Sequence, residues 1–251
     1  MSDTFDYSQF PVGYYDRILH EGSPVRRSWH QQKFERVREC LPPGHGLSVL
    51  DIGCFAGSFL SLVPTDRFAR QLGVDILPEQ IDYAQARYGN AHREFRVLAD
   101  LQGLAAIEES FDCITLIEVI EHLTAAEAAV LLGHCTRLLK PGGRLVLSTP
   151  NYTSAWPLVE WAINRFADVS YEDQHILKFH WFNVRRKLAR LRPSVWSDFR
   201  LVFQTTTHFV TPFLAFLHFK GAQRLSRLFP HAKWHFPFGN LLLLSLEKTP
   251  R

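Results

Sequence analysis

Residues 49–57, Val-Leu-Asp-Ile-Gly-Cys-Phe-Ala-Gly, carry an apolar strand straight into an acidic, glycine-bearing turn. This junction restricts the fold, because a strand ending this way opens onto the carboxyl edge of a parallel sheet, where α/β proteins bind ligands. Asp75 follows 24 residues after Asp51, at the end of a second apolar run, where a carboxylate can take both hydroxyls of a ribose. Gly53 and Gly57 let the backbone approach a ligand where a Cβ would block it. The pattern describes a nucleoside pocket. It does not describe a dinucleotide site, which needs G-x-G-x-x-G and bare amides for a pyrophosphate; the middle position here is Phe55. Asp51 repels phosphate and suits a ligand with a cationic or amine-bearing tail.

Strand-like and helix-like stretches alternate through the first 150 residues, as in a parallel α/β sheet. The pattern predicts strands at 48–52, 71–75, 94–98, 111–117 and 143–149. Between them lie predicted helices at 78–88, opened by Pro78, and at 124–139, opened by a capping Thr124. A further helix at 24–41 has Ser23 as its cap and an apolar stripe of Val25, Trp29, Phe34, Val37 and Leu41.

The turn Asp51-x-Gly53-x-Phe55-x-Gly57, the segment Lys140-Pro141-Gly142-Gly143 before a strand, and Ala99-Asp100-Leu101 after one resemble the class I S-adenosylmethionine-dependent methyltransferases. Phe55 departs from the family's middle glycine position, which implies that the methionine end of the cofactor is held differently. The resemblance implies an α/β, Rossmann-like, seven-stranded, mostly parallel sheet with helices on both faces. Its closing hairpin falls at 199–205 and 241–246. It also implies S-adenosylmethionine as cofactor, bound by Asp51, Gly53, Cys54, Phe55, Gly57, Asp75, Ile76, Asp100, Leu101 and Glu118. Asp75 would serve the ribose and Asp100 the adenine; the other reading of Asp100 is a helix cap. Residues 1–46 form a helical extension, 47–150 a cofactor-binding core, and 151–251 substrate-side inserts and the hairpin, all within one domain. In the resembled family such an extension lies over the cofactor as a lid, which makes Tyr14, Tyr15, Trp29 and His30 closing residues; packing on the sheet is the alternative.

The strand at 111–117 runs into Glu118-Val119-Ile120-Glu121-His122, at the edge where acceptor groups belong. If the chain turns helical there, Glu118, Glu121 and His122 share one face. They can collect a cation, or act without one, with His122 as general base and Glu118 beside it as a catalytic carboxylate, or simply begin a helix. This run, with Asp173-x-His175 downstream and Ser148-Thr-Pro-Asn151, resembles the ubiquinone-pathway O-methyltransferases and, more loosely, the small-RNA 2′-O-methyltransferases. That resemblance implies Glu118, Glu121, His122 and His175 as ligands of magnesium or manganese. Magnesium prefers all-oxygen shells, so two histidines suit manganese, iron or zinc at least as well.

The net charge of +3 conceals an asymmetry: from residue 176 onward thirteen Lys and Arg face two acids, leaving about −8 on the rest. A basic tail suits a phosphate-bearing substrate, an anionic membrane or nucleic acid, though solvated helix faces give the same count. Phe209, Phe213, Phe216, Leu217, Phe219 and Phe229 beside Lys220, Arg224, Arg227 and Lys233 have the composition of an interfacial helix, broken at Pro212 and Gly221. An internal cover over the cleft or a dimer contact is the alternative. The stretch 152–169, with Trp156, Trp161 and Phe166, reads as a helical insert whose aromatic wall suits a flat or greasy acceptor.

Met1–Phe10 lacks a signal-peptide pattern, no apolar run approaches the ~20 residues that span a bilayer, and the four cysteines share no metal or redox spacing. The expectation is a cytoplasmic chain with peripheral membrane contact through 209–233. It would be a methyltransferase acting on a small aromatic or lipid-like hydroxyl. An RNA 2′-O-methyltransferase and a non-catalytic cofactor-binding module are the alternatives, with nucleic acid the less favoured partner.

Overall fold

The computed structural model describes residues 10–166, 174–228 and 236–250. The sequence readings at residues 1–9, 167–169, Asp173, Phe229 and Lys233 lie outside them. Seven strands form one sheet in the order β3-β2-β1-β4-β5-β7-β6. They are β1 (Leu47–Ile52), β2 (Phe68–Asp75), β3 (Arg93–Val97), β4 (Phe111–Ile117), β5 (Leu139–Pro150), β6 (Phe199–Thr207) and β7 (Leu241–Lys248). The pairs from β3 to β5 are parallel, and β7 runs antiparallel to both β5 and β6. The chain's strand order reverses between β1 and β4, which places the Gly53 turn and Glu118 side by side at the switch point.

Strand interiors read as continuous apolar runs because both faces are covered. One face buries Leu50, Leu72, Ile114, Leu116 and Leu145 with Leu131, Leu132 and Cys135 of α5 (Ala125–Leu138). The other buries Val49, Cys113 and Val146 with Phe59, Ile81 and Val37. After the short α3 (Ser58–Ser61), the predicted helix at 78–88 is α4 (Pro78–Tyr88), and α5 opens with Thr124 and Glu127 in a reciprocal capping box. Ser23 stands at the start of α2 (Pro24–Glu39) without making a side-chain cap bond.

Residues α1 (Tyr14–Glu21), which the sequence pattern did not reveal, hold the N-terminal region in place. Asp16, 1% exposed, accepts hydrogen bonds from Ser58 (3.1 Å), Tyr83 (2.8 Å) and Tyr88 (2.5 Å) and pairs with Arg87 at 3.0 Å. These partners offset the cost of burying a charged carboxylate. α1 and α2 thereby lie beside the Gly53 turn.

After α7 (Val184–Leu191) and α8 (Val195–Asp198), the insertion between β6 and β7 is α9 (Thr211–Arg227). Pro212 begins it instead of breaking it, since a first-turn proline sacrifices no helical hydrogen bond, and the interruption falls at His218 (φ −154°, ψ 96°). α9 packs along α2 through Thr211 to Gln32 (2.7 Å), Gln223 to Gln31 (2.6 Å) and Arg227 to Glu35 (2.9 Å). Its inner face is therefore an internal cover. Among the described residues no helix is long and apolar enough to cross a membrane.

Asp16→Ala leaves two tyrosine hydroxyls and a guanidinium without their shared acceptor, at a cost of roughly 1–3 kcal/mol. The expected result is faster proteolytic cleavage within residues 11–22 with the core transition lowered by only a few degrees, checked by limited proteolysis and calorimetry.

Candidate functional site

Four carboxylates line the carboxyl edge of the sheet, each at the end of a strand or in the turn that follows. Asp51, on β1, is buried and accepts a 2.6 Å hydrogen bond from Thr115. Burial pushes its pKa up to about 7, against the opposing Thr115 bond and helped by the Asp75 charge. Asp75 accepts from the backbone N–H of Phe55 (2.8 Å) and of Leu77 (3.1 Å), one on each oxygen. A carboxylate has about four acceptor directions, so Asp75 keeps capacity for further donors. Burial raises its pKa, while those amides pull it down.

Gly53 and Gly57 both have positive φ, 77° and 74°. The protein itself also requires a bare Cα at both positions. A Cβ on Gly53 would meet Val119 at 2.5 Å, and one on Gly57 the Phe95 ring at 2.7 Å. Phe55 also adopts positive φ, 47°, and Cys54 is a buried thiol whose pKa is raised by burial and by Asp75 and Asp51. Phe10 and Tyr15 place their rings 6.3 and 5.1 Å from Phe55, Tyr14 stands 5.2 Å from Tyr15, and His30 stands 5.3 Å from Tyr15. Beyond the turn, Ile76 and Val97 are each 45% exposed at the ends of β2 and β3, an apolar ledge at a strand edge. Asp100 takes the cap role: one oxygen accepts from Gln102 (2.7 Å) and Gly103 (3.1 Å), opening a 3-10 turn that starts at Leu101.

The acceptor-side run does not turn helical at Glu118. Glu118 has φ 54°, and only Ile120–His122 form a 3-10 turn, so Glu118, Glu121 and His122 do not share a helix face. Instead Glu118 forms an ion pair with Lys33 of α2. Burial alone would raise the Glu118 pKa, but the charge and hydrogen bond of Lys33 win and hold it below the usual range. The sequence reading missed Lys33, although its spacing of four from Trp29 and from Val37 sets a lysine on the apolar stripe.

Glu121 forms no such ion pair. It is fully buried, neither oxygen meets a hydrogen-bond donor at bonding geometry, and its pKa is pushed well up by burial and by Glu118, with Thr149 close enough to oppose the shift. One ligand atom each of Glu121, His122 and His175 lie within 4.8 Å of one another. His122 Nδ1 stands 3.1 Å from the Gln174 carbonyl, and burial, aided by His175, draws its pKa down to about 4. His175 Nδ1 is engaged by Glu160 and, at 3.1 Å, by the Tyr152 hydroxyl. Glu160 and Tyr152 went unread in the sequence; a Glu four residues after Trp156 on α6 (Trp156–Phe166) was the available signal. Trp156 stacks 6.0 Å from His175 and 5.8 Å from Trp29, which lies 4.4 Å from His208. Asn151 fixes the loop after β5, donating to Pro237 (2.7 Å) and Gly239 (2.8 Å).

Asp51 carries a pH prediction. Its folded pKa near 7 exceeds the unfolded ~3.9, so its contribution favours the fold at low pH and is lost as pH rises through about 7. Asp51→Asn is expected to raise the melting temperature of the ligand-free protein at pH 8 and to change it little at pH 4. Thermal melts across that range check it.

The sequence model of a family described as a methyltransferase domain matches residues 26–192. The ubiquinone biosynthesis O-methyltransferase of Leptothrix cholodnii is 34% identical over 139 residues, 54% of each chain, and that of Bradyrhizobium sp. 35% over 138 residues, 53% of each. The chain thus aligns with about half the length of these curated relatives. The N-methyltransferase NodS from Bradyrhizobium japonicum WM9, in complex with S-adenosyl-L-homocysteine, superposes with a TM-score of 0.57 at 17% identity, covering 96% of this chain and 98% of that one, a likeness of fold. With two thirds of its length matched by one family and the sheet order of that fold, this chain belongs to the methyltransferase domain family.

Proposed function

We propose that the chain is an S-adenosylmethionine-dependent O-methyltransferase acting on a small aromatic or lipid-like hydroxyl. The observation that carries this reading is the buried, unpartnered Glu121 carboxylate beside His122 and His175, next to the Gly53 turn at the switch point of the sheet. The curated relatives named as ubiquinone biosynthesis O-methyltransferases support the choice of a hydroxyl acceptor. The residues at the turn fit the cofactor. Asp75 retains acceptor capacity for ribose hydroxyls, Ile76 and Val97 offer an apolar ledge for the adenine, and Asp51 matches a cationic tail. Bound there, S-adenosylmethionine supplies a methyl on a sulfonium that is already a good leaving group. The protein's task is then to position an oxygen and remove its proton.

His122 stays neutral at physiological pH, with a lone pair to offer, but a pKa near 4 makes it a weak base. That weakness favours a shared cation over unaided proton abstraction. The three donors fit one: an orphaned buried carboxylate and two imidazoles whose Nδ1 atoms are already held. A divalent ion there supplies the Lewis acidity that lowers a hydroxyl pKa. Trp29, Trp156 and His208 present an aromatic wall to a flat acceptor.

Glu121→Gln is expected to lower methyl transfer to catechol-type acceptors at least ~100-fold while calorimetric binding of S-adenosylhomocysteine stays within about threefold. Full activity in this variant sinks the assignment of the acceptor side.

The outer face of α9 supports contact with an anionic lipid surface. Phe216 and Leu217 are 76% and 78% exposed, with exposed Lys220 and Arg224 on the same helix. Flotation with vesicles containing anionic phospholipid, and none with neutral vesicles, is the expected outcome; Phe216→Ser with Leu217→Ser should abolish it.

A further inference from the structure

We infer that Lys33 divides the two carboxylates of the Glu118-x-x-Glu121 run between separate tasks, so that any cation is held by Glu121, His122 and His175 alone, a one-oxygen, two-nitrogen set that selects a transition metal over magnesium. This rests on the cation reading above and specifies its ligands.

The geometry separates the two acids. Glu118 leaves β4 with positive φ and its carboxylate meets the ammonium of Lys33, whose side chain is 7% exposed. A tethered cation thus occupies the position beside Glu118 that a metal ion would take, and losing either partner of such a buried pair is costly. Glu118 does not belong to the group of donors within 4.8 Å, whereas Glu121 does. The three donors already stand within 4.8 Å of one another, and they are the residues that would hold an ion.

Both histidines carry the outer partner typical of a metal-binding imidazole. The Gln174 carbonyl fixes the His122 proton on Nδ1, and Glu160 with Tyr152 engages Nδ1 of His175. For His122 this leaves Nε2 as the nitrogen it presents. The four-ligand arrangement implied by resemblance would offer two carboxylates, which suits a hard ion; withdrawing Glu118 leaves imidazole in the majority, which suits manganese, iron or zinc.

Equilibrium dialysis of the full chain against Mn(II), Zn(II) and Mg(II), with no acceptor present, tests this. The expected result is Mn(II) or Zn(II) bound at least ~tenfold more tightly than Mg(II). Glu118→Gln should change the Mn(II) affinity by less than about threefold, and Glu121→Gln should weaken it more than ~tenfold. Lys33→Met should release Glu118 into the shell and narrow the preference over Mg(II), while Lys33→Arg preserves it; circular dichroism confirms that each variant is folded. Equal losses in Glu118→Gln and Glu121→Gln overturn the division of labour and leave the cation reading standing. No binding of any of the three ions at millimolar concentration overturns both, and methyl transfer that persists in chelator then separates that failure from the methyltransferase reading itself.

Discussion

A carboxylate removed from water must be met by charge, by donors or by a proton. The carboxyl edge of this sheet buries or half-buries four of them and answers each differently. Asp75 has backbone amides, Glu118 has Lys33, Asp51 has Thr115 and a pKa displaced towards the neutral form, and Glu121 has no hydrogen-bond partner at bonding geometry. The gradient from satisfied to unsatisfied orders the site. The Asp75 position is prebuilt, and Glu121 is left to be met by a proton or by a ligand.

The sheet was legible in the sequence because both of its faces are covered, so strand periodicity appears as plain apolar runs; the five strands of the pattern and the two of the hairpin implied by resemblance lie where they were placed, with ends shifted by a few residues. The site was legible in part. Asp51, Asp75, Glu121, His122 and His175 gather at one edge because each follows a strand or lies in a loop at that end. Lys33, Asp16, Glu160 and Tyr152 were not read, since each acts across more than 20 residues of chain or from within an insert, where no spacing announces the partner. Glu118 shows a different limit. Its left-handed backbone takes it off the helix face that a continuous i, i+3, i+4 count would assign.

The segments outside the sheet core are bound to one another more than to the sheet. α9 is bound to α2 by four hydrogen-bonded side-chain pairs that include Arg36 with the Ser226 hydroxyl at 3.1 Å, and Trp29 of α2 stacks with Trp156 of α6 and lies 6.1 Å from Phe213 of α9. Three stretches far apart in the chain thus make one wall over the Glu121 cluster. A change in any of them reshapes the acceptor side while the Gly53 turn, anchored through Val119 and Phe95, keeps its form.

The position of β7 has a consequence for how the chain matures. It is the last strand in sequence, yet it lies between β5 and β6 and supplies every hydrogen-bonded neighbour that β6 has in the sheet. During synthesis the first five strands can associate as they emerge, but β6 must wait, with an open sheet edge at β5, until β7 has been made. The nascent protein therefore passes through a stage in which that edge invites pairing with other chains, and its yield in the cell should depend on holdase chaperones during the interval.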